Sequence, residues 1–209
     1  MSAMNGGPGL LLLRHGESTW NVSQRWQGWA NPPLSESGVR EAGKLAQQLE
    51  PFGFTAVCSS DLDRARMTAQ ILADGLSLAP PRTDSRLRER DVGEWAGLSD
   101  AEIDARWPGQ LAAWRACDDG PPASGGEGAD EVVARMQASL IEFWSEQGNK
   151  DLIVVSHVGA IRALDRALGG SGPPIANLAG RWLHWNGTSL RSGELFDPAD
   201  GARTATDRL

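Results

Sequence analysis

Three short apolar runs, Leu10–Leu13, Thr55–Cys58 and Leu152–Val155, each stop at polar or charged residues and lead into a segment with helical spacing. Four consecutive leucines have no polar face, so a strand made of them must be covered on both sides. Ser35–Glu50 reads as a helix with Ser35 as its N-cap and Val39, Ala42, Ala46 and Leu49 on one face. Asp61–Asp74 reads as a second, striped by Leu62, Ala65, Ala69 and Leu72. Ser99–Trp107 and Leu111–Ala116 are further helical segments, parted by Pro108-Gly109. Asp130–Glu146 carries Val133, Met136, Leu140 and Phe143, and Val158–Leu168 follows the third run. Gly120–Gly128 and Gly169–Pro174 are loops by composition. Arg181–Trp185 and Thr188–Leu195 form a last strand pair turned at Asn186-Gly187. Strands spaced by helices build βαβ units, which predicts a three-layer αβα sandwich with a mainly parallel central sheet. The 209 residues fit a single domain, with Met1–Pro8 and Asp197–Leu209 as loose termini.

Ligands of such sheets bind beyond the carboxyl ends of the strands. After the first run stands Arg14-His15-Gly16-Glu17-Ser18; after the second, Ser59-Ser60-Asp61 and then Arg64; after the third, Ser156-His157. The chain has three histidines, and two of them occupy this equivalent position. Two arginines and two histidines suit a phosphoryl group. Arginine offers planar, bidentate donors and stays charged, and a helix opening at Val158 adds backbone N–H groups. A neutral imidazole is a competent nucleophile near pH 7. A covalent step also needs a proton donor for the leaving alcohol. The chain offers several acids, Glu89, Asp91 and Glu94 among them, and the residues alone single out none. Arg64 lies off the apolar stripe of its helix, so it points either to solvent or to the site.

The net charge of −7 and pI near 5.0 argue against a nucleic-acid binder and against a polybasic membrane binder. An anionic substrate then needs a local cluster of positive charge. The two cysteines, Cys58 and Cys117, have no C-x-x-C spacing, and no clustered metal ligands are visible, so neither a disulfide framework nor a metal is expected. The apolar runs fall far short of the ~20 residues of a membrane span. Met1–Gly9 has no basic start and no long apolar stretch, which leaves the cytoplasm as the expected location.

Several segments together resemble the histidine phosphatase superfamily, the phosphoglycerate mutase-like proteins. They are Leu12-Leu13-Arg14-His15-Gly16-Glu17-Ser18-Thr19-Trp20-Asn21, Arg25-Trp26-Gln27-Gly28 with Pro33–Gly38, Ser59–Ala69, Leu87–Gly97 and Val155–Arg162. The resemblance spans roughly residues 9–195. It implies His15 as nucleophile, becoming phosphohistidine, and Arg14, Arg64 and His157 as the groups holding the phosphoryl oxygens. It implies Glu89 as the residue that protonates the leaving oxygen and then activates water. Asn21, Gln27, Gly28 and the backbone at Val158 would line the phosphate pocket. No cofactor is implied, and a homodimer would suit the family.

Two departures stand out. His157 is followed by Val158 where the family has glycine, so a Cβ narrows the rim while the N–H is kept. Gly128 stands where the family's Gly-Gly-Glu-Ser stretch has serine, which removes a hydrogen-bonding side chain. The expected activity is metal-independent hydrolysis of a small soluble phosphate monoester, a sugar, glycerate or related phosphate. Within the family, Leu87–Glu127 most resembles phosphatases of phosphoglycerate derivatives. The first alternative is a cofactor-dependent phosphoglycerate mutase. Mutases resemble His-Gly-Asn-Ser-Leu-Arg at the second histidine, where this chain has Gly159-Ala160 for Asn-Ser, and they carry a longer insertion before the Gly loop. A catalytically idle binding module is the other alternative, and no catalytic residue is missing. A serine hydrolase is disfavoured because Val154 stands where a G-x-S-x-G elbow needs glycine. The Ser124–Gly128 loop is no P-loop, since no Gly-Lys-Ser/Thr follows. His184 reads as a packed or edge-strand residue and Cys58 as core. Trp20, Trp26, Trp29, Trp95, Trp107 and Trp114 are expected in a cleft wall, in core, or in both. Arg66, Arg86, Arg88, Arg90 and Arg115 read as solvated surface, with one available to a second anionic group.

Overall fold

The computed structural model describes residues 9–200, apart from 118, 149, 172–174 and 186–187. Its six-stranded sheet has the order β3-β2-β4-β1-β5-β6. The strands are β1 (Gly9–Arg14), β2 (Ala56–Ser59), β3 (Arg82–Thr83), β4 (Leu152–Ser156), β5 (Gly180–Trp185) and β6 (Leu190–Phe196). β1, β2, β3 and β4 run parallel; β5 pairs antiparallel with both β1 and β6, so the sheet is mixed. The α-helices described are α1 (Thr19–Val22), α2 (Glu36–Leu49), α3 (Asp63–Gly75), α4 (Asp100–Arg106), α5 (Gln110–Cys117), α6 (Ala129–Glu146) and α7 (Val158–Ala167).

The leucine run explains the layering. Side chains alternate along a strand. Leu10 and Leu12 therefore face a core shared with Met136 and Leu140 of α6 and Ile161 and Leu164 of α7. Leu11 and Leu13 face the other side, against Leu45 and Leu49 of α2 and Ala69 and Leu72 of α3. A third cluster of Val92, Trp95, Ile103 and Leu111, with Trp26, Trp107 and Trp114 packed on it, lies apart from the sheet. Leu12 is 1% exposed. Leu12→Ala is expected to lower unfolding stability by about 2–5 kcal/mol. Urea melts would show this as a lower midpoint at unchanged slope; an unmoved midpoint would contradict the two-sided core.

Ser35 caps α2, accepting from the Gly38 N–H. Two stripe assignments are corrected. Val39 is 39% exposed, and Leu45 takes the inward position. On α6, Val132 rather than Val133 is fully buried, with Ser139 and Trp144 completing the face. β3 is a short exposed strand that hydrophobic patterning does not detect. Cys58 is buried in the core, and His184 lies on β5, half-buried, beside Glu194 of β6 at 3.3 Å. The turn expected at Asn186-Gly187, the leader Met1–Pro8, residues 172–174 of the loop and the tail beyond Asp200 lie outside the described residues. Pro198–Asp200 is a single 3-10 turn. Among the described residues, no helix is long and apolar enough to cross a membrane.

Candidate active site

Strand register assembles the site. β1 and β4 are adjacent and parallel, with Arg14 opposite Ser156. His15 and His157, one residue further on each chain, leave the sheet side by side, and the His15 N–H donates to the Ser156 carbonyl at 3.0 Å. The two rings sit 5.1 Å apart, and both residues are buried. β2 is the next strand, and α3, which follows it, carries Arg64 across to the same edge.

The hydrogen bonds determine the His15 tautomer. Its Nδ1–H donates to the Gly16 carbonyl at 2.6 Å, leaving Nε2 to accept from Arg64 Nε at 3.3 Å. Burial, then the neighbouring Arg64 and Arg14 cations, hold the imidazole well below the ordinary histidine value, against a smaller opposite effect of the Gly16 carbonyl. The ring therefore presents a neutral nitrogen with a lone pair. His157 is likewise held well below its ordinary value, by burial first and then by Arg64, His15 and other nearby cations. Both nitrogens of His157, and Arg14 Nε, are buried without a hydrogen-bond partner. These nitrogens therefore keep hydrogen-bonding capacity for a bound group.

Arg64 is fully buried and points into the site, which settles the orientation that the helical pattern leaves open. Besides His15, it donates to the Gly28 and Ala30 carbonyls at 2.9 and 2.7 Å. Burial brings it down to about 10, Arg14 adding to the effect and Glu89 opposing it, so it stays cationic at neutral pH. Arg14 is anchored through the Ile175 carbonyl at 2.9 Å.

Glu89 is the acid that faces the cleft. Its carboxylate accepts from the backbone N–H groups of Gly159, Ala160 and Arg90 at 3.1, 2.8 and 2.8 Å, and so sits at the N-terminus of α7. A Cβ on Gly159 would come within 2.7 Å of Glu89 Oε1. The absence of a side chain at 159 is thus what lets the carboxylate dock. Asp91 instead closes a local turn onto Gly93, and Glu94 is exposed.

A cleft of about 480 Å³ opens over these groups. Of the residues singled out in the sequence, Arg14, His15, Asn21, Gln27, Gly28, Arg64, Glu89 and Val158 line it, while His157 lies buried beside His15. Asn21 and Gln27 are tied together through the Ser18 hydroxyl, 3.0 Å from each. The outer part adds Trp26, Val92 and Trp114 as apolar surface and Arg25, Arg90, Arg115 and Arg162 as cations. Tryptophan accordingly serves cleft and core together: Trp26 and Trp114 wall the cleft, and Trp95 beneath them is fully buried. Arg90 corrects the surface expectation, being 3% exposed, stacked over Trp114 and bound to the carbonyls of Asp119, Gly120 and Glu127. Gly128 precedes α6 as its N-cap, and its N–H is taken by Glu131, 2.8 Å away.

Three supporting residues have no local signal in the sequence. Thr68 accepts from the Gly16 N–H at 3.0 Å. Asn177 donates to the His15 carbonyl at 3.0 Å. Arg135 binds the loop that carries Glu89. Their partners are main-chain groups, which every residue possesses, so composition cannot mark them. Among the described residues, no group of three or more His, Cys, Asp or Glu is arranged to hold a metal.

Comparison with known proteins identifies the family. A family model described as histidine phosphatase superfamily (branch 1) matches residues 10–191. Glucosyl-3-phosphoglycerate phosphatase of Mycobacterium tuberculosis is 40% identical over 167 residues, 76% of this chain and 74% of that one. A 2,3-bisphosphoglycerate-dependent phosphoglycerate mutase of Brucella anthropi is 34% identical over 171 residues, covering 78% and 82%. Among solved structures, a mycobacterial glucosyl-3-phosphoglycerate phosphatase in complex with VO3 superposes with a TM-score of 0.79 at 34% identity. That match covers 90% of this chain and 97% of the other.

Proposed function

Because this chain belongs to the histidine phosphatase superfamily (branch 1), we propose that it hydrolyses a small phosphate monoester through a phosphohistidine formed on His15. The observation that carries this reading is the neutral Nε2 of His15, its tautomer set by Gly16, lying against Arg64 and beside the unpartnered nitrogens of Arg14 and His157. In the first step Nε2 attacks phosphorus and the ester P–O bond breaks. Protonated Glu89 gives its proton to the leaving oxygen, which departs as the alcohol. In the second step water attacks phosphorus, Glu89 takes a proton from it, and the P–N bond breaks to release phosphate. Arg14, Arg64 and His157 bind the equatorial oxygens, whose charge they stabilise without reorganising. Nucleophile, acid and countercharge all come from side chains, so the chemistry needs no metal.

The substrate class follows from the outer cleft. Trp26 and Trp114 wall it, and the arginines along it are already engaged: Arg25 pairs with Glu102 and Arg115 with Asp100, both at 2.8 Å, and Arg90 holds main-chain carbonyls. A tryptophan wall beside a phosphoryl site suits a compact phosphorylated metabolite, such as a phosphorylated glycerate or its sugar derivative. The name of the 40% identical relative supports that class. Gly159-Ala160, where mutases resemble Asn-Ser, favours hydrolysis over mutase chemistry.

The test is phosphate release from p-nitrophenyl phosphate, 3-phosphoglycerate, glucosyl-3-phosphoglycerate, phosphoserine and sugar phosphates, with a chelator present. Interconversion of 3- and 2-phosphoglycerate, with 2,3-bisphosphoglycerate added, is followed in parallel. Phosphate release at a chelator-independent rate is expected. Isomerisation with little hydrolysis would establish a mutase instead, and loss of activity with chelator would overturn the metal-free mechanism.

A further inference from the structure

Arg135 lies on α6, outside the cleft lining, yet all five of its N–H groups are engaged. Nη1 donates to the carbonyls of Arg86 and Arg88 at 2.8 and 2.7 Å. Nη2 donates to the carbonyl of Glu89 at 2.9 Å and to Glu127 Oε2 at 2.8 Å, and Nε donates to Glu127 Oε1 at 2.9 Å. Glu127 Oε2 also accepts from the Asp91 N–H at 2.8 Å. One ion pair thus grips the main chain on both sides of Glu89. The carbonyl between its contacts, that of Leu87, is taken by the Ser156 hydroxyl at 2.9 Å. The Glu89 carbonyl receives a second donor, Trp29 Nε1, at 2.7 Å. A carboxylate that must meet a leaving oxygen gains from such a clamp, because an error of about 1 Å costs on the order of 100-fold in rate.

We propose that Arg135 is a positioning residue for the proton-transferring carboxylate of Glu89, acting through the main chain of residues 86–91. The proposal rests on the acid role given to Glu89 above. It predicts a dependence on the leaving group. An alkoxide needs a proton to depart, whereas p-nitrophenolate does not. The readout is kcat/KM, which stops at phosphohistidine formation, for the best alkyl phosphate of the panel and for p-nitrophenyl phosphate. In Arg135→Met the alkyl value is expected to fall about 100-fold and the p-nitrophenyl value by no more than about threefold. Arg135→Lys keeps the charge but cannot reproduce the planar fork. It is expected to change the ratio in the same direction, and it carries the test if the Met variant fails to fold. Glu89→Gln serves as the reference for a lost acid. A wild-type ratio in soluble Arg135 variants, whatever their melting temperature or overall rate, would overturn the positioning role while leaving Glu89 in place. A wild-type ratio in Glu89→Gln would overturn the acid assignment and this proposal with it.

Discussion

His15→Ala is expected to leave a folded chain whose phosphate release from p-nitrophenyl phosphate is slower by on the order of 10⁶-fold, the scale seen when a covalent nucleophile is deleted. The site gives water no comparable route. Arg64 Nε is aimed at the position of His15 Nε2, and His157 lies 5.1 Å away, ring centroid to ring centroid. With the imidazole gone, the cations still bind phosphate, so substrate affinity survives while turnover does not. The structural cost is modest. The 3.3 Å bond from Arg64 and the 2.6 Å bond to the Gly16 carbonyl are lost, about 1–3 kcal/mol against a typical 5–15 kcal/mol of stability. Circular dichroism should therefore match the unaltered protein. Quenching the unaltered enzyme in alkali during turnover should trap a phosphoryl label on His15 that the variant lacks. Retained turnover in the variant would remove His15 from the mechanism.

How much of this was legible beforehand depended on whether a residue's role was local. The run Leu10–Leu13 announced a strand buried on both faces, and the strand ends then placed Arg14, His15 and His157 on one edge. Arg64 was legible only as an arginine off its stripe; its burial depends on the loop at Gly28–Ala30, which no pattern on α3 contains. The three rival acids were indistinguishable because their difference is tertiary: only Glu89 reaches the amides of Gly159 and Ala160, 70 and 71 positions away. Arg90 read as surface because an isolated arginine is most often solvated, yet carbonyls of a distant loop and the Trp114 ring enclose it. Arg135 was invisible for a related reason, since its main-chain partners lie 46 to 49 positions away. β3 has no signal in the sequence because its two residues, Arg82 and Thr83, are exposed and have no periodicity to read.

Mild acidification, from pH 7.5 to 5.0, is expected to destabilise the fold. His15 and His157 both have pKa values held far below 6.5 in the folded state, by burial first and then by Arg64 and the other cations around them. In the unfolded chain each would bind a proton near pH 6.5. Below that pH the unfolded state therefore takes up protons that the folded state refuses, and stability falls as pH drops. The loss approaches about 1.4 kcal/mol per pH unit per histidine. Both histidines contribute in the same direction, so the loss is expected to set in as pH falls through 6.5. Asp84 is raised by its burial but lowered more by the side chain and N–H of Arg86 and by Ser139, reaching about 2, so its contribution is lost only in stronger acid. Urea unfolding at intervals from pH 7.5 to 5.0 measures the slope directly, and His157→Gln should roughly halve it. A flat profile would mean that one or both histidines accept a proton in place. Burial and the neighbouring arginines would then not be keeping His15 neutral, and the electrostatic basis of the site would have to be redrawn.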